Sequence, residues 1–407
     1  MEQFLIAALR AVVFIHLTLL LAHSILEWRF AHRHTSPRPG RAGPAFWPAV
    51  DVVVPTYNED PAVLEACWRS LAALDYPGPL QVWLVDDGSV NRDALRPVYQ
   101  RFRQQFPGAA GEVVFLPGNV GKRKAQDAGF RRGDGELVVL MDSDTVVERS
   151  AIRRAAVAFA DGRVGAVSGR LGVLNASMNL LTRLLEDRYR LRFEVERPAQ
   201  GFFGSLLCCA GPFTMFRRGA LDPVWERYQR QTFVGVPCIN GDDLHLTNLL
   251  LSEGHRLLFD PVAFAFTGVP STLGQYLRQQ LRWSRSLYRE LGWTFAAVRR
   301  RHPYLVLDVL ARAVLPLLLG TALLLLAAEG VVAGQALLLN DVGLVAALML
   351  ASALFVLGHG GTAPFLLLYG PLHIALLIPV RVYALATLAS PRWETRQEPR
   401  SGGRRRL

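Results

Sequence analysis

Cysteine is scarce in this chain. Only Cys67, Cys208, Cys209 and Cys238 occur in 407 residues, and no Cys-x-x-Cys is present. That excludes a zinc finger and a thioredoxin-type redox motif, and it predicts free thiols in a reducing compartment. Lysine is scarcer still, with Lys122 and Lys124 as the only two, both inside Gly121–Ala125. Lys and Arg together number 45, so 45 − 2 leaves 43 Arg. A bias toward Arg accounts for the rarity. The sharper reading is that a compact ammonium is required beside phosphate. Charged residues are 19% of the chain and hydrophobic residues 51%, an apolar share above that of most soluble domains. The net charge of +11 is not gathered into a basic stripe interleaved with aromatics, which argues against a nucleic-acid partner. Arg-rich cytosolic flanks of membrane segments explain it better. A cleavable signal peptide is not expected, because the apolar start lacks a charged n-region and a small-x-small site. There is no internal repeat.

The apolar residues cluster at two ends. Residues 4–27 are long enough for one membrane helix, although Arg10, His16 and His23 interrupt them. A basic Pro/Gly linker follows and is expected on the cytosolic side. Near the C-terminus the apolar stretches are 304–328, 342–358 and 363–388, the last broken by Gly370-Pro371 and Pro379 and carrying Arg381. The tail after residue 390 is strongly basic and should stay inside. This predicts two full spans and a re-entrant or kinked third segment. The division is therefore a transmembrane helix (1–30), a linker (31–48), a cytosolic catalytic domain (49–272), an interfacial amphipathic helix (273–300), a C-terminal membrane region (301–390) and a cytosolic tail (391–407).

Between these ends, apolar strands alternate with helical segments. Strands are predicted at 49–55, 81–86, 112–116, 136–142 and 164–169, with helices such as 61–73 and 122–130 between them. This is the βαβ pattern of an α/β domain with a mostly parallel sheet covered by helices. Farther on, 179–196 reads as a charged helix, 206–217 as a strand, 242–253 as a helix starting at an acidic pair, and 273–293 as an amphipathic helix suited to a membrane interface.

In such sheets ligands bind beyond the carboxyl ends of strands, and acidic residues fall there: Asp86 and Asp87 in LVDDGS, Asp142 and Asp144 in LMDSDT. Transfer of a sugar from a nucleoside diphosphate needs a nucleotide pocket, neutralisation of the diphosphate, a base for the acceptor hydroxyl and a path for the product. Asp142-Ser143-Asp144 suits a divalent cation, Mg2+ or Mn2+, acting as a Lewis acid. Alone, an Asp-x-Asp is also an ordinary strand-end turn. Asp86 or Asp87 suits a base or ribose contact. In VVVPTYNED, Thr56 borders the same loop, Tyr57 suits stacking and Glu59 suits a hydrogen bond to the nucleoside. Lys122 and Arg123 suit the phosphates. Asp243 in GDD is the candidate general base, with Asp242 as the neighbouring carboxylate that raises its proton affinity or caps the following helix. In QQLRW, Gln279 and Trp283 suit an acceptor sugar and Arg282 a diphosphate. The alternative for the Arg–Trp pair is membrane anchoring.

In this order the motifs resemble the membrane-bound, processive family-2 β-glycosyltransferases of GT-A fold: hyaluronan, chitin, cellulose and nodulation chitooligosaccharide synthases. The resemblance spans roughly residues 50–396. It is densest in LLTRLLEDRY, ERPAQ, LLCCAGPFTMFRR, QTFVGVPCINGDDLHLTN and YLRQQLRWSRSLYRE, which look most like the hyaluronan and nodulation enzymes. It implies a GT-A domain flanked by transmembrane and interfacial helices. It also implies a bacterial-type inner-membrane location, and UDP-sugar donors, a growing polysaccharide and membrane lipid as partners. By resemblance Asp142 and Asp144 hold metal and UDP, Asp243 is the base, and Cys209, Gly211, Gln279, Arg282 and Trp283 border the acceptor and diphosphate. Trp393-Glu394-Thr395-Arg396 resembles an element that closes the site in hyaluronan synthases, with Trp393 and Arg396 at the acceptor. Two departures stand out: Glu394 in place of Gly, and Leu244 where the family usually has Arg. The expectation is a hyaluronan-like polymerase using UDP-N-acetylglucosamine and UDP-glucuronate. The rivals are a chitooligosaccharide synthase using the first donor alone, single-sugar transfer to a lipid phosphate, and a non-catalytic export protein.

Overall fold

The computed structural model describes residues 2–36, 47–333 and 372–390. Trp393, Arg396 and the apolar stretch 342–358 lie outside the described residues, as do positions 363–371 of the stretch 363–388.

The catalytic portion is built on one eight-stranded sheet. Its strands are β1 (Val50–Thr56), β2 (Leu80–Asp86), β3 (Gly111–Phe115), β4 (Leu137–Met141), β5 (Thr145–Val147), β6 (Val164–Val173), β7 (Phe213–Arg217) and β10 (Arg256–Thr267), in the order β3-β2-β1-β4-β7-β6-β10-β5. Pairs within β3-β2-β1-β4 are parallel, as is β6 with β10; β7 and β5 run antiparallel to their neighbours. β1 and β4 are buried along their whole length, as expected for continuous Val/Leu runs in a sheet covered on both faces. Helices α2 (Pro61–Ala72), α3 (Arg92–Gln105), α4 (Lys122–Phe130) and α5 (Ala151–Ala156) supply the crossovers. Asp60 starts α2 by accepting from the N–H groups of Ala62 and Val63, the usual side-chain cap of orphan donors.

Two elements differ from the sequence pattern. The strand expected over 206–217 begins only at Phe213. Gly211 and Pro212 precede it, Pro has no N–H for a ladder, and residues 206–212 form a loop instead. The helix expected over 179–196 starts at Leu180, capped by Asn179 and Thr182. As α6 (Leu180–Leu191) it continues through a π-turn (Arg192–Glu196) into α7 (Arg197–Phe202). β10, absent from the expected strands, carries a register shift between Asp260 and Phe264 that breaks its alternation. Next come α8 (Arg218–Gln229), the short β8 (Thr232–Phe233) and β9 (Val236–Pro237), α9 (Asp242–Ser252) and α10 (Leu273–Val298).

Two helices among the described residues are long and apolar enough to cross a membrane, within α1 (Glu2–Ala31) and α11 (Pro303–Ala333). They pack side by side through Leu9, Val13 and Ala322. At their catalytic end a polar network joins them to α7. Asp308 bonds His23 at 2.9 Å, Arg312 at 2.7 Å and Gln200 at 2.7 Å, and Arg312 reaches Glu196 at 2.7 Å and Glu27 at 3.2 Å. With its partners present each buried charge is compensated; truncating one partner would strand the others. A last helix, α12 (Ile378–Ala386), lies against α10: Arg285 bonds Thr387 and Arg289 bonds the Leu388 carbonyl.

Candidate active site

The carboxyl ends of β1, β2 and β4 meet the loop 206–212 and the start of α9. Lys122, the first residue of α4, lies between two of the acids. Its ammonium is 2.6 Å from Asp142 Oδ1 and 3.0 Å from Asp242 Oδ2. Gly211 faces the same point. A Cβ there would be 3.6 Å from Asp142 Oδ2 and from Lys122 Nζ, and 3.8 Å from Asp243 Oδ2. Lys122, Asp142, Gly211 and Asp243, between 20 and 121 positions apart in the chain, thus surround one small volume. The loop that carries Gly211 is tied down from both sides. Cys209 N–H donates to Thr247 Oγ1, which donates to the Asp243 carbonyl; Ala210 N–H donates to Ser168. The Leu207 N–H donates to Gln200 Oε1, whose amide holds Asp308 of α11.

Gly241 opens α9 with φ of +82°, and a Cβ would lie 2.6 Å from Ser286 Oγ. Both the backbone and the space call for glycine. α9 is pinned to α10 by Glu290, which accepts from His245 and Asn248 and from Gln231. This sets Asp242 and Asp243 against the Lys122 ammonium. Burial alone would raise Asp242, but Lys122 and then Arg123 outweigh it and hold the carboxyl down at about 2. Asp243 behaves oppositely: burial and the Asp242 charge raise it, against the pull of Lys122. One acid is locked as an anion and its neighbour is kept able to take a proton, the separation that acid–base chemistry uses.

At the β4 end, Asp144 is pushed up to about 7 by burial, then by Asp142 and Glu59, against a hydrogen bond from Thr267 at 3.3 Å. Glu59 in turn accepts from Ser143 Oγ at 2.9 Å. Three carboxylates crowd one face there; Lys122 forms a salt bridge with Asp142 and also lowers Asp144 electrostatically. A hard divalent cation with oxygen ligands fits that donor set. Asp142 and Asp144 would hold it.

The other expected residues are placed unequally. Asp86 is fully buried with both oxygens held by protein, Oδ1 by Ser89 N–H and Arg92 and Oδ2 by the Tyr99 hydroxyl at 2.5 Å. Asp87 accepts from the Val120 and Gly121 N–H groups, capping the start of α4. Both carboxylates therefore shape the loop. Thr56 is buried at the end of β1, where its carbonyl accepts from Asp87 N–H, and Tyr57 is half-buried next to it. Arg123 turns away from the acids to the Tyr228 carbonyl and Gln231, its guanidinium 5.1 Å from the Tyr228 ring. Leu244 is buried.

On α10, Gln279 and Trp283 line a cavity of about 190 Å3, and Arg282, one turn from Gln279, acts electrostatically on both Asp242 and Asp243. The cavity also receives Arg188 and Arg192 from the α6 end and Arg381 from α12. None of the three was expected at the site from the sequence, where Arg381 stood out only as a charge inside the last apolar stretch. The available signal was the i, i+4 spacing of Arg188, Arg192 and Glu196, which puts them on one helix face.

Similarity to known proteins agrees with this arrangement. The family model described as glycosyltransferase like family 2 matches residues 48–286, more than half of the chain. An N-acetylglucosaminyltransferase of Mesorhizobium japonicum is 42% identical over 363 residues, covering 86% of this chain and 82% of the relative. One from Rhizobium meliloti is 39% identical over 370 residues (88% and 84%). Another, from Neorhizobium galegae, is 36% identical over 401 residues (96% and 90%). A solved mannosyltransferase from Pyrobaculum calidifontis, in complex with GDP-Man and Mn2+, shares the fold with TM-score 0.68. It is 23% identical and covers 94% of this chain and 98% of its own. A GT-A sheet, acids gathered at its strand ends and a family match from β1 to α10 lead to one conclusion: this chain is a glycosyltransferase and belongs to glycosyltransferase family 2.

Proposed function

We propose that the enzyme is membrane-embedded and inverting, and that it adds N-acetylglucosamine from UDP-N-acetylglucosamine to a growing β-linked glycan. The observation that carries this is the convergence of Asp142, Lys122 and Asp243 on Gly211. The names of the relatives support the sugar. They name only N-acetylglucosamine transfer, so that donor comes first here, ahead of the two-donor scheme expected from sequence.

In the proposed reaction the Asp243 carboxylate takes the proton of the acceptor hydroxyl. The oxygen attacks the anomeric carbon in line, the bond from that carbon to the diphosphate oxygen breaks, and UDP leaves with the electron pair. Asp242, held as an anion by Lys122, keeps Asp243 basic. Asp142 and Asp144 would bind Mg2+ or Mn2+, which when bound neutralises diphosphate charge as a Lewis acid. Lys122 and Arg282 add fixed positive charge for the same diphosphate. Thr56, Tyr57 and Glu59 border the nucleoside; Cys209, Gly211, Gln279 and Trp283 border the acceptor. Two spanning-length helices beside the site support a multi-pass inner-membrane enzyme with the catalytic portion cytosolic. The cavity between α6, α10 and α12 supports retention of the product between additions.

The test is UDP release by the purified full chain in lipid with Mn2+ or Mg2+. UDP-N-acetylglucosamine and UDP-glucuronate are supplied singly and together, with Asp243→Asn as control. Release from UDP-N-acetylglucosamine that vanishes in the variant is the expected result. Release from neither donor sinks the proposal. A second reading, a polymer that also incorporates an acidic sugar, is favoured by the charge of the α10 cavity.

A further inference from the structure

Loop 206–212 carries Gly211 into the site, and one buried side chain outside the site holds the near end of that loop. Gln200, on α7, is 2% exposed. Its backbone carbonyl accepts from Phe203 N–H at 3.1 Å and from Ser205 N–H at 3.3 Å. Its side-chain Oε1 accepts from Leu207 N–H at 3.2 Å and from the Arg197 guanidinium at 3.4 Å. Its Nε2 donates to Asp308 Oδ2 on α11 at 2.7 Å. One residue therefore fixes the turn from α7 into the loop, and one amide joins the loop to a membrane-length helix.

The direction of that amide is dictated from both ends. Leu207 N–H is a donor, so it requires the oxygen. Asp308 is paired with Arg312 at 2.7 Å through Oδ1, and an ionised carboxylate offers acceptors alone, so it requires the nitrogen. Neither end can be reversed without leaving a buried polar group unpaired. Asp308 is itself fully buried and shares Oδ1 with His23 at 2.9 Å. The charge cluster between α1 and α11 thus sets the orientation of Gln200, and Gln200 sets Leu207, four residues before Gly211. The donor-side residues have separate supports: Asp142 and Asp144 follow β4, and Lys122 opens α4.

We infer that Gln200 is a positioning residue for transfer: by seating loop 206–212 it keeps the acceptor hydroxyl, rather than water, within reach of Asp243, and Asp308 on α11 holds it in the orientation that does so. The inference rests on the proposed transfer to a glycan and adds the residue pair that decides between transfer and hydrolysis of the donor. In hydrolysis, water supplies the oxygen that bonds to the anomeric carbon and Asp243 takes its proton. UDP leaves with the electron pair of the broken bond, so free N-acetylglucosamine marks each miss.

The experiment follows the purified full chain in zwitterionic nanodiscs with UDP-N-acetylglucosamine, Mn2+ or Mg2+, and the N-acetylglucosamine tetramer as acceptor. Free N-acetylglucosamine is measured as a share of the UDP released. Gln200→Glu sets two carboxylates face to face. Asp308→Asn presents an N–H2 to Gln200, because Arg312, a donor only, claims the oxygen of the new amide. Each should raise the free-sugar share roughly tenfold, the worth of one buried group left without its hydrogen bond. Each should also raise KM for the acceptor while leaving KM for UDP-N-acetylglucosamine unchanged. The double variant restores the pattern with charge conserved: the carboxylate at position 200 accepts from Leu207 N–H and from the amide at position 308. Its free-sugar share should return to within about twofold of the unmodified chain. A general loss of stability would lower both products together and would not be reversed by a second substitution. An unchanged share in both single variants overturns the inference, as does a double variant no better than the worse single. Gln200→Met removes both side-chain hydrogen bonds without adding charge and covers a failure of Asp308→Asn to fold; an unchanged share there is equally fatal. UDP release by the unmodified chain separates the two readings. No release defeats the transferase mechanism itself, whereas release with the share unmoved in every variant defeats the role of Gln200 alone.

Discussion

The two sides of the candidate site carry opposite charge and are built differently. On the sheet side, Glu59, Asp142 and Asp144 crowd strand ends and loops, each supplied by a short contiguous motif. On the helix side, Arg188, Arg192 and Arg381 come from segments nearly two hundred positions apart and meet around one cavity. Lys122 lies at the boundary, bridging Asp142 and Asp242. The difference follows from the function proposed for each side. A metal and diphosphate need a few oxygens and charges at fixed short spacing, which one turn after a strand provides. A glycan needs a wall, and a wall is assembled from several helices.

The contrast can be broken or sharpened by substitution. Asp243→Asn should cost most, roughly 10²–10⁴ in kcat, with binding of UDP-N-acetylglucosamine retained in equilibrium titration. Unchanged turnover would remove Asp243 as the base. On the helix side, Asp308→Ala should strip partners from His23, Gln200 and Arg312 together. A loss of about 3–5 kcal/mol is expected for one member of a buried charge network, read as a lowered unfolding midpoint in detergent. Lys122→Met should leave Asp142 and Asp242 facing each other without their shared cation. The Asp243 limb of the pH–rate profile should then move to higher pH, because the cation that opposes its rise is gone. A limb that stays in place would show that Lys122 acts on the diphosphate alone.

Metal binding sharpens the acidic side further. Asp144 ionises at about 7 in place of 3.8, so below about 7 a proton must be displaced before the carboxylate can bind metal. Mn2+ affinity should fall by up to about tenfold per pH unit below that point, measurable by titration at pH 6, 7 and 8. The stability of the metal-free protein should follow the same group. A carboxyl raised in the folded state contributes stability that is complete below its unfolded value and lost as pH rises through about 7. Metal-free protein should thus melt lower at pH 8 than at pH 5 as far as Asp144 is concerned. The smallest effect belongs to a charge remote from both sides. Glu65→Gln removes the surface pairs with Arg69 and Arg101 and should change stability by less than about 1 kcal/mol, with no change in UDP release.

Which acids gather at one point was legible only in part. Asp51, Asp86 and Asp142 all lie in or directly after apolar strands, and the sequence treats the last two alike. Tertiary structure separates them. Asp51 is held by Arg218, Trp83 and the Gly135 N–H, Asp86 is sealed by Arg92 and Tyr99, and Asp142 stays partly open beside Lys122. Arg123 was equally ambiguous next to Lys122. Successive helix positions differ by about 100°, and that rotation sends one side chain to the acids and the other to Tyr228.

The sequence by itself determined the alternating α/β core, the family and the membrane-length helices α1 and α11. Each of these rests on local periodicity or on motifs read within one contiguous stretch, and local physics suffices for them. Only the tertiary structure decided that Gly211 closes a ring with Asp142, Lys122 and Asp243. It also decided that Gln200 ties that loop to a membrane-length helix and that three arginines face one cavity. Those facts depend on how separate elements pack, and packing is set by the shape of the whole core, which no single stretch of sequence encodes.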